Sequence, residues 1–307
     1  MPTSAAPVVP AAPAAPAAPA APAAAKPAPT RTPAPVSTAD THGSLTVSNG
    51  TRTVQVNGRP VDFGTPVRDL AWSPDGRQAA FVDGAGDLVV SDPAGGHRTV
   101  AAHNPGGQQW SHPAWQVAPA DPQYGFPAKD NLIFTVADGS GTRLFTVPAA
   151  GPSATPTVLP LGQGADAPEL PQTGNTWANA GGSIRGRAVY ANPGSGEVYL
   201  RDDYLRQQGG AIDGGSEPAL SADGEYVAFV RSVDGHDHLF TEQLDRGTAV
   251  AKDLTPHATT DYTEPVWSPD GAVLAARTPA GIVVVRVDGS GTPQLVSTVL
   301  GLPAYRG

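Results

Sequence analysis

The thirteen residues "EPVWSPDGAVLAA", Glu264 to Ala276, decide how this chain is read. Ser-Pro-Asp-Gly specifies a turn. Proline presets φ for the first corner, aspartate bonds the backbone two residues on, and glycine accepts positive φ. Strand-length apolar runs lie on both sides. The pattern recurs as "DLAWSPDGRQAAFVD" from Asp69 and as "EPALSADGEYVAFVR" from Glu217. The turn aspartates Asp75, Asp223 and Asp270 are 148 and 47 residues apart, so the first gap has room for about three repeats. Two degenerate copies are therefore expected between them. "HPAWQVAPADPQYGFPAKDNLIFTV" supplies one, with Trp115 in the tryptophan place and a longer turn. "NTWANAGGSIRGRAVYAN" supplies the other through Trp177. A period of about 40–50 residues with four short strands per repeat is the signature of propeller blades.

The composition agrees. In 307 residues there are 36 Gly and 34 Pro, which favours short strands and turns over long helices. Cysteine is absent, which excludes disulfides, thiolate metal sites and a cysteine nucleophile. The net charge of −9 is spread along the chain with no basic stripe, so nucleic acid is not an expected partner. No run of 18 apolar residues exists, so no membrane insertion by this chain is expected. The N-terminus lacks the basic start and apolar core of a signal peptide, so a targeting segment is not expected within it. Lysine occurs only at Lys26, Lys129 and Lys252, which with the Ala and Pro bias suggests a high-GC genome such as an actinobacterium's.

Residues 1–42 read as a disordered Ala/Pro spacer, because proline at every third position blocks helix and removes backbone donors. From residue 43 to 307 the chain reads as all-β: a six-bladed propeller of four-stranded antiparallel blades. Five blades are expected at about 66–106, 107–163, 170–212, 214–258 and 261–300. A composite blade, 43–60 plus 301–307, closes the ring and removes two exposed sheet edges. In it "GLPAYRG" reads as strand a, with Pro303 and Tyr305 in the places of Pro265 and Trp267. "GSLTVSNGTRTVQVNG" reads as strands c and d, which leaves strand b unaccounted for.

With three copies of the P-x-[W/L]-S-x-D-G pattern, residues 43–307 resemble the TolB-like, WD40-like PD40 β-propellers. The resemblance implies a six- or seven-bladed ring, commonly outside the cytoplasm and often a platform for protein binding. The mixed α/β domain that precedes the propeller in TolB has no counterpart in this sequence, so TolB's lipoprotein partner does not carry over.

Conspicuous motifs read as structure. The tryptophans at strand ends fill wedges between blades. "LPQTG" at Leu170–Gly174 matches a sortase signal but sits in mid-chain. "HDH" at His236–His238 offers two histidines without a third ligand. "DGSGT", at Asp138 and again at Asp288, reads as a turn. No nucleophile elbow, P-loop, dinucleotide fingerprint, HExxH or EF-hand loop occurs.

Position gives the better functional expectation. Three residues before each tryptophan place stand Asp69, His112, Gly174, Glu217 and Glu264, which would ring the channel mouth. Trp110, Asp166, Glu169, Asp213, Asp261 and Tyr262 would surround them on loops. The expected binding set is Asp69, Trp110, His112, Glu217, Asp261, Tyr262 and Glu264, with no catalytic residues. No cofactor is expected, although clustered carboxylates would suit a cation such as calcium. The chain is thus expected to be a non-enzymatic, extracytoplasmic, monomeric binding propeller for a protein partner. Alternatives are a lectin for envelope glycans and a carbohydrate-active enzyme using the mouth carboxylates.

Overall fold

The computed structural model describes residues 41–162, 170–181, 186–202, 209–244 and 249–307. The expected spacer, apart from Thr41 and His42, lies outside these residues, as do Asp166 and Glu169. Every regular element among the described residues is a β-strand. They form six antiparallel sheets of four.

In chain order, blade 1 comprises β4 (Arg68–Trp72), β5 (Ala79–Val82), β6 (Leu88–Ser91) and β7 (Thr99–Ala102). Blade 2 is β8 (Gln109–Ala118), β9 (Lys129–Asp138), β10 (Gly141–Pro148) and β11 (Thr157–Val158). Blade 3 is β12 (Thr176–Ala180), β13 (Ala188–Asn192), β14 (Glu197–Arg201) and β15 (Gly210–Gly214). Blade 4 is β16 (Ser216–Leu220), β17 (Tyr226–Val233), β18 (His236–Gln243) and β19 (Lys252–Asp253). Blade 5 is β20 (Thr263–Trp267), β21 (Val273–Thr278), β22 (Gly281–Arg286) and β23 (Gln294–Ser297).

The closing blade orders β24 (Leu302–Arg306), β1 (Ser44–Ser48), β2 (Thr53–Val56) and β3 (Arg59–Asp62). β24 and β1 pair without interruption from Ser44↔Arg306 to Ser48↔Leu302. This corrects the strand identities read from the sequence. "SLTVS" is strand b, "TVQV" is strand c, and "RPVD" is the strand d that was missed. The turn Asn57-Gly58 joins β2 to β3 with φ of 49° and 72° at the two corners, the two-residue hairpin geometry that Asn-Gly favours. Pro60 hides the strand from a propensity reading, but proline is tolerated on an outer edge.

The core is divided into six apolar clusters, one in each wedge between neighbouring blades. Strand b of each blade feeds two wedges at once because successive side chains point to opposite faces. Ala79 and Phe81 pack toward the closing blade, whereas Ala80 and Val82 pack toward blade 2. Val227 and Phe229 face blade 3, whereas Ala228 and Val230 face blade 5. Residues 79–82 and 227–230 are therefore apolar at every position, like the doubly covered strands of parallel sheets.

The recurring turn closes strand a onto strand b in the same way three times. Ser73 Oγ, Ser221 Oγ and Ser268 Oγ donate to the aspartate two residues on, at 2.6, 2.5 and 2.7 Å. Each aspartate also accepts the N–H of the residue two further on: Arg77, Glu225 and Ala272. Gly76, Gly224 and Gly271 hold φ of 66°, 73° and 69°. Three tryptophans each tie a blade to the one before. The indole N–H donates to Thr46 Oγ1 from Trp72 (2.7 Å), to the Ala71 carbonyl from Trp115 (3.1 Å), and to the Ala219 carbonyl from Trp267 (2.9 Å).

Candidate functional site: the channel mouth

Strand a of every blade lines the central channel, a cavity of about 450 Å³. In blades 1 to 5 this strand is broken near its start by a bulge, seen as a register shift against strand b. One residue in each bulge adopts left-handed backbone: Asp69 (φ 54°), His112 (52°), Trp177 (56°), Glu217 (52°) and Glu264 (55°). All five line the channel. The proline that follows in three of them, Pro113, Pro218 and Pro265, suits a bulge, where a missing N–H breaks no ladder bond. β24 has no such shift and places Leu302 at the sixth position.

The blade 3 expectation is corrected here. Trp177 does not end strand a; it stands at the mouth, and Ala180 takes the tryptophan place. Gly174 lies before the strand, not on the ring. The local signal was a small hydroxyl residue in front of the ring position: Ser111, Thr176, Ser216 and Thr263. The large indole outweighed it.

Bulging turns backbone N–H groups away from the sheet, and carboxylates of the preceding blade meet two of them. Asp69 Oδ2 accepts the His112 N–H at 3.1 Å, and Glu217 Oε2 accepts the Glu264 N–H at 2.5 Å. The His112 imidazole lies against the Trp177 indole, with ring centroids 3.8 Å apart. Its Nε2 is 3.6 Å from Glu264 Oε1, an ion-pair distance but long for a hydrogen bond. Blades 2 and 5 are opposite one another in a ring of six, so this pair spans the channel.

Burial pushes the Glu217 carboxyl up to about 7. The Glu264 N–H opposes that rise, the charges of Glu264 and Asp237 add to it, and His112 reduces it. Burial pulls the His112 imidazole down, but Glu264, Asp69 and Glu217 together raise it above its ordinary value.

The outer members of the expected set behave differently. Trp110 is 1% exposed, sits in the core between blades 1 and 2, and donates its indole N–H to Gln108 Oε1. Tyr262 is 8% exposed in the core between blades 4 and 5. Neither is a free loop aromatic: Trp110 belongs to β8 itself, and the loop before β20 folds the Tyr262 ring back into a wedge. Asp261 is exposed and accepts from the Asp237 N–H and pairs with His236 Nδ1, both at 3.2 Å. Its carboxyl is held below the usual range by those contacts. Asp213 pairs with Arg231 at 2.6 Å.

The "HDH" histidines have separate partners, His236 with Asp261 and buried His238 with Asp253 at 2.9 Å. The "LPQTG" segment is tied down by Asn175 Nδ2 to the Pro171 carbonyl and by Asn192 Nδ2 to the Thr173 carbonyl. Among the described residues no three His, Asp or Glu side chains stand close enough to hold a metal ion together.

Comparison with known proteins agrees with this architecture. Residues 43–171 match the family described as the lipoprotein LpqB beta-propeller domain. No curated protein matches the chain. Among solved structures, TolB from Acinetobacter baumannii superposes with a TM-score of 0.62 at 19% identity, over 87% of this chain and 67% of that one. A putative TolB from Agrobacterium tumefaciens gives 0.55 at 16% identity, over 84% and 90%. A chain of a nidogen/laminin complex gives 0.58 at 9% identity, over 86% and 98%. Likeness at such identities is a likeness of fold. By fold this chain is a six-bladed β-propeller, similar in architecture to the TolB structures.

Proposed function

We propose that the chain is a non-enzymatic binding propeller that acts outside the cytoplasm and takes a segment of a partner protein at the acidic end of its channel. One observation carries this reading: the five left-handed residues of the bulges. Left-handed backbone costs a residue other than glycine about 1–2 kcal/mol. The recurring turns hold that conformation with glycine, at Gly76, Gly224 and Gly271, and other turns with Asn57 and Asp234. At the mouth it instead keeps three carboxylates, an imidazole and an indole. Strain retained at clustered positions points to use.

The chemistry suits a lysine or arginine side chain. Glu217 and Glu264 supply the charge, Trp177 supplies an aromatic face for a cation, and Leu302 and Pro303 line the wall beside an aliphatic stem. The likeness of residues 43–171 to a lipoprotein's propeller domain supports a place outside the cytoplasm. The lectin reading loses its support because Trp110 and Tyr262 are core residues.

Capture from the host's cell envelope tests the proposal. The wild-type ring recovers a protein that the Glu217→Gln/Glu264→Gln double variant does not, while Asp223→Ala, altered at a turn, still recovers it. Equal recovery by the double variant, or no recovery by the wild type, contradicts the reading.

One observation favours a second reading. A buried carboxyl raised to about 7 beside another carboxylate is what a general acid in glycoside cleavage needs. Hydrolysis of a polysaccharide panel, abolished by Glu217→Gln, distinguishes an enzyme from a binding module.

A further inference from the structure

The mouth is crossed in this structure by a pair of its own residues. His112 reaches from β8 across the channel to Glu264 on β20, and its Nε2 is shielded from solvent without a hydrogen-bond partner. We propose that the His112–Glu264 pair is a proton-dependent latch. With the imidazole protonated the pair holds the mouth shut, and with it neutral Glu264 is released to the partner's cationic group. This regulation rests on the binding reading above.

The surroundings fix the direction. His112 is faced by Glu264 from β20, Asp69 from β4 and Glu217 from β16, all carboxylates. β12 contributes only the uncharged Trp177, and β24 contributes Leu302. Glu217 is faced in turn by Glu264, by His112 and by Asp237 of β18. Among the described residues no cation other than His112 enters either set.

Each carboxylate favours the imidazolium, and the imidazolium lowers the negative potential that a partner's cation would meet. Loss of the proton has two effects: it breaks the cross-channel ion pair, and it leaves the mouth with its full acidic charge. Glu217 acts in the same direction, because it too sheds a proton as the pH rises. A cation entering beside Glu264 competes with His112 for one carboxylate. Binding and protonation therefore oppose each other by thermodynamic linkage.

The test uses the whole chain and a tetra-arginine peptide as probe, by calorimetric titration at pH 5.5 and pH 8. Wild type binds about tenfold or more tightly at pH 8, the scale expected when one charge in a shielded site is lost. His112→Asn keeps the backbone N–H to Asp69 and binds several-fold more tightly at pH 5.5 than wild type. Equal wild-type affinity at the two pH values, or an unchanged pH dependence in His112→Asn, overturns the latch while leaving the binding reading intact. No binding by either protein at either pH overturns the binding reading itself.

An NMR titration of the His112 ring protons gives a second readout free of any folding defect in the variant. The expected midpoint lies above the ordinary histidine value of about 6.5 and falls when peptide is added. A midpoint at or below that value, or one unmoved by bound peptide, sinks the latch.

Discussion

The two ends of the innermost strands are built from the same repeats and obey different rules. At the turn end, each conspicuous residue has a structural partner. Ser268, Asp270 and Gly271 satisfy one another's geometry, and Trp267 ties to Ala219 of the preceding blade. At the mouth end, the bulged residues hold strained backbone and gather like charges. Asp69 and Glu217 cap neighbouring N–H groups, but that duty alone does not require three carboxylates around one channel. Among these repeats, the part that stands out in the sequence is the scaffold, and the residue three places before it is the candidate for function.

The comparison is broken most severely at the turn end. Trp267→Ala removes a buried indole from the wedge between blades 4 and 5, together with its hydrogen bond to the Ala219 carbonyl. Unfolding in urea should show a loss of about 3–5 kcal/mol. A loss under 1 kcal/mol would mean the tryptophans do not hold the blades together.

The mouth should respond with the opposite sign. Glu217 has a folded-state pKa of about 7, above its unfolded value of 4.5, so the folded state holds a proton that the unfolded state has lost between those pH values. Its contribution is fully present below pH 4.5 and is lost as the pH rises toward 7. His112, also raised, loses its contribution as the pH rises from its unfolded value of 6.5 through its folded pKa. Thermal melts should therefore show a higher midpoint at pH 5 than at pH 8. Glu217→Gln should stabilise the ring by about 1–3 kcal/mol at pH 8, with little gain at pH 4. Destabilisation at pH 8 would make Glu217 a structural residue.

Asp223→Ala is a milder break at the turn end. It removes the bonds from Ser221 Oγ and the Glu225 N–H. A cost of about 0.5–1.5 kcal/mol is expected, with partner capture unchanged. The smallest stability change is expected from Glu264→Gly. Relief of left-handed strain offsets the lost His112 pair and the added freedom of the unfolded chain, for a net within about 1 kcal/mol.

The ring was legible in the sequence because its punctuation is local. Pro-Asp-Gly and Asp-Gly turns state their geometry in four residues, and short continuous apolar runs such as residues 79–82 state their two wedges. The errors came where one strong residue masked a pattern. Pro60 hid β3, although Asn57-Gly58 announced a hairpin before it. Trp177 carries the indole that marks the tryptophan place elsewhere, while the preceding Thr176 carries the weaker signal of the ring position it occupies.

Asp69, His112, Glu217 and Glu264 were placed at the mouth by counting back from the turn. Their left-handed backbone and the contact between blades 2 and 5 depend on bulges and on ring closure, which no local stretch encodes. Trp110 and Tyr262 are core residues because β8 begins earlier than its sequence pattern suggests and because the Tyr262 loop turns its ring inward, neither of which a local stretch reveals.

The most direct test is partner capture by Glu264→Gly protein whose thermal melt shows an intact ring. The account predicts a folded propeller with a midpoint close to wild type that no longer retains the partner. A folded Glu264→Gly ring that retains the partner as wild type does would contradict the claim that the strained mouth is the binding site.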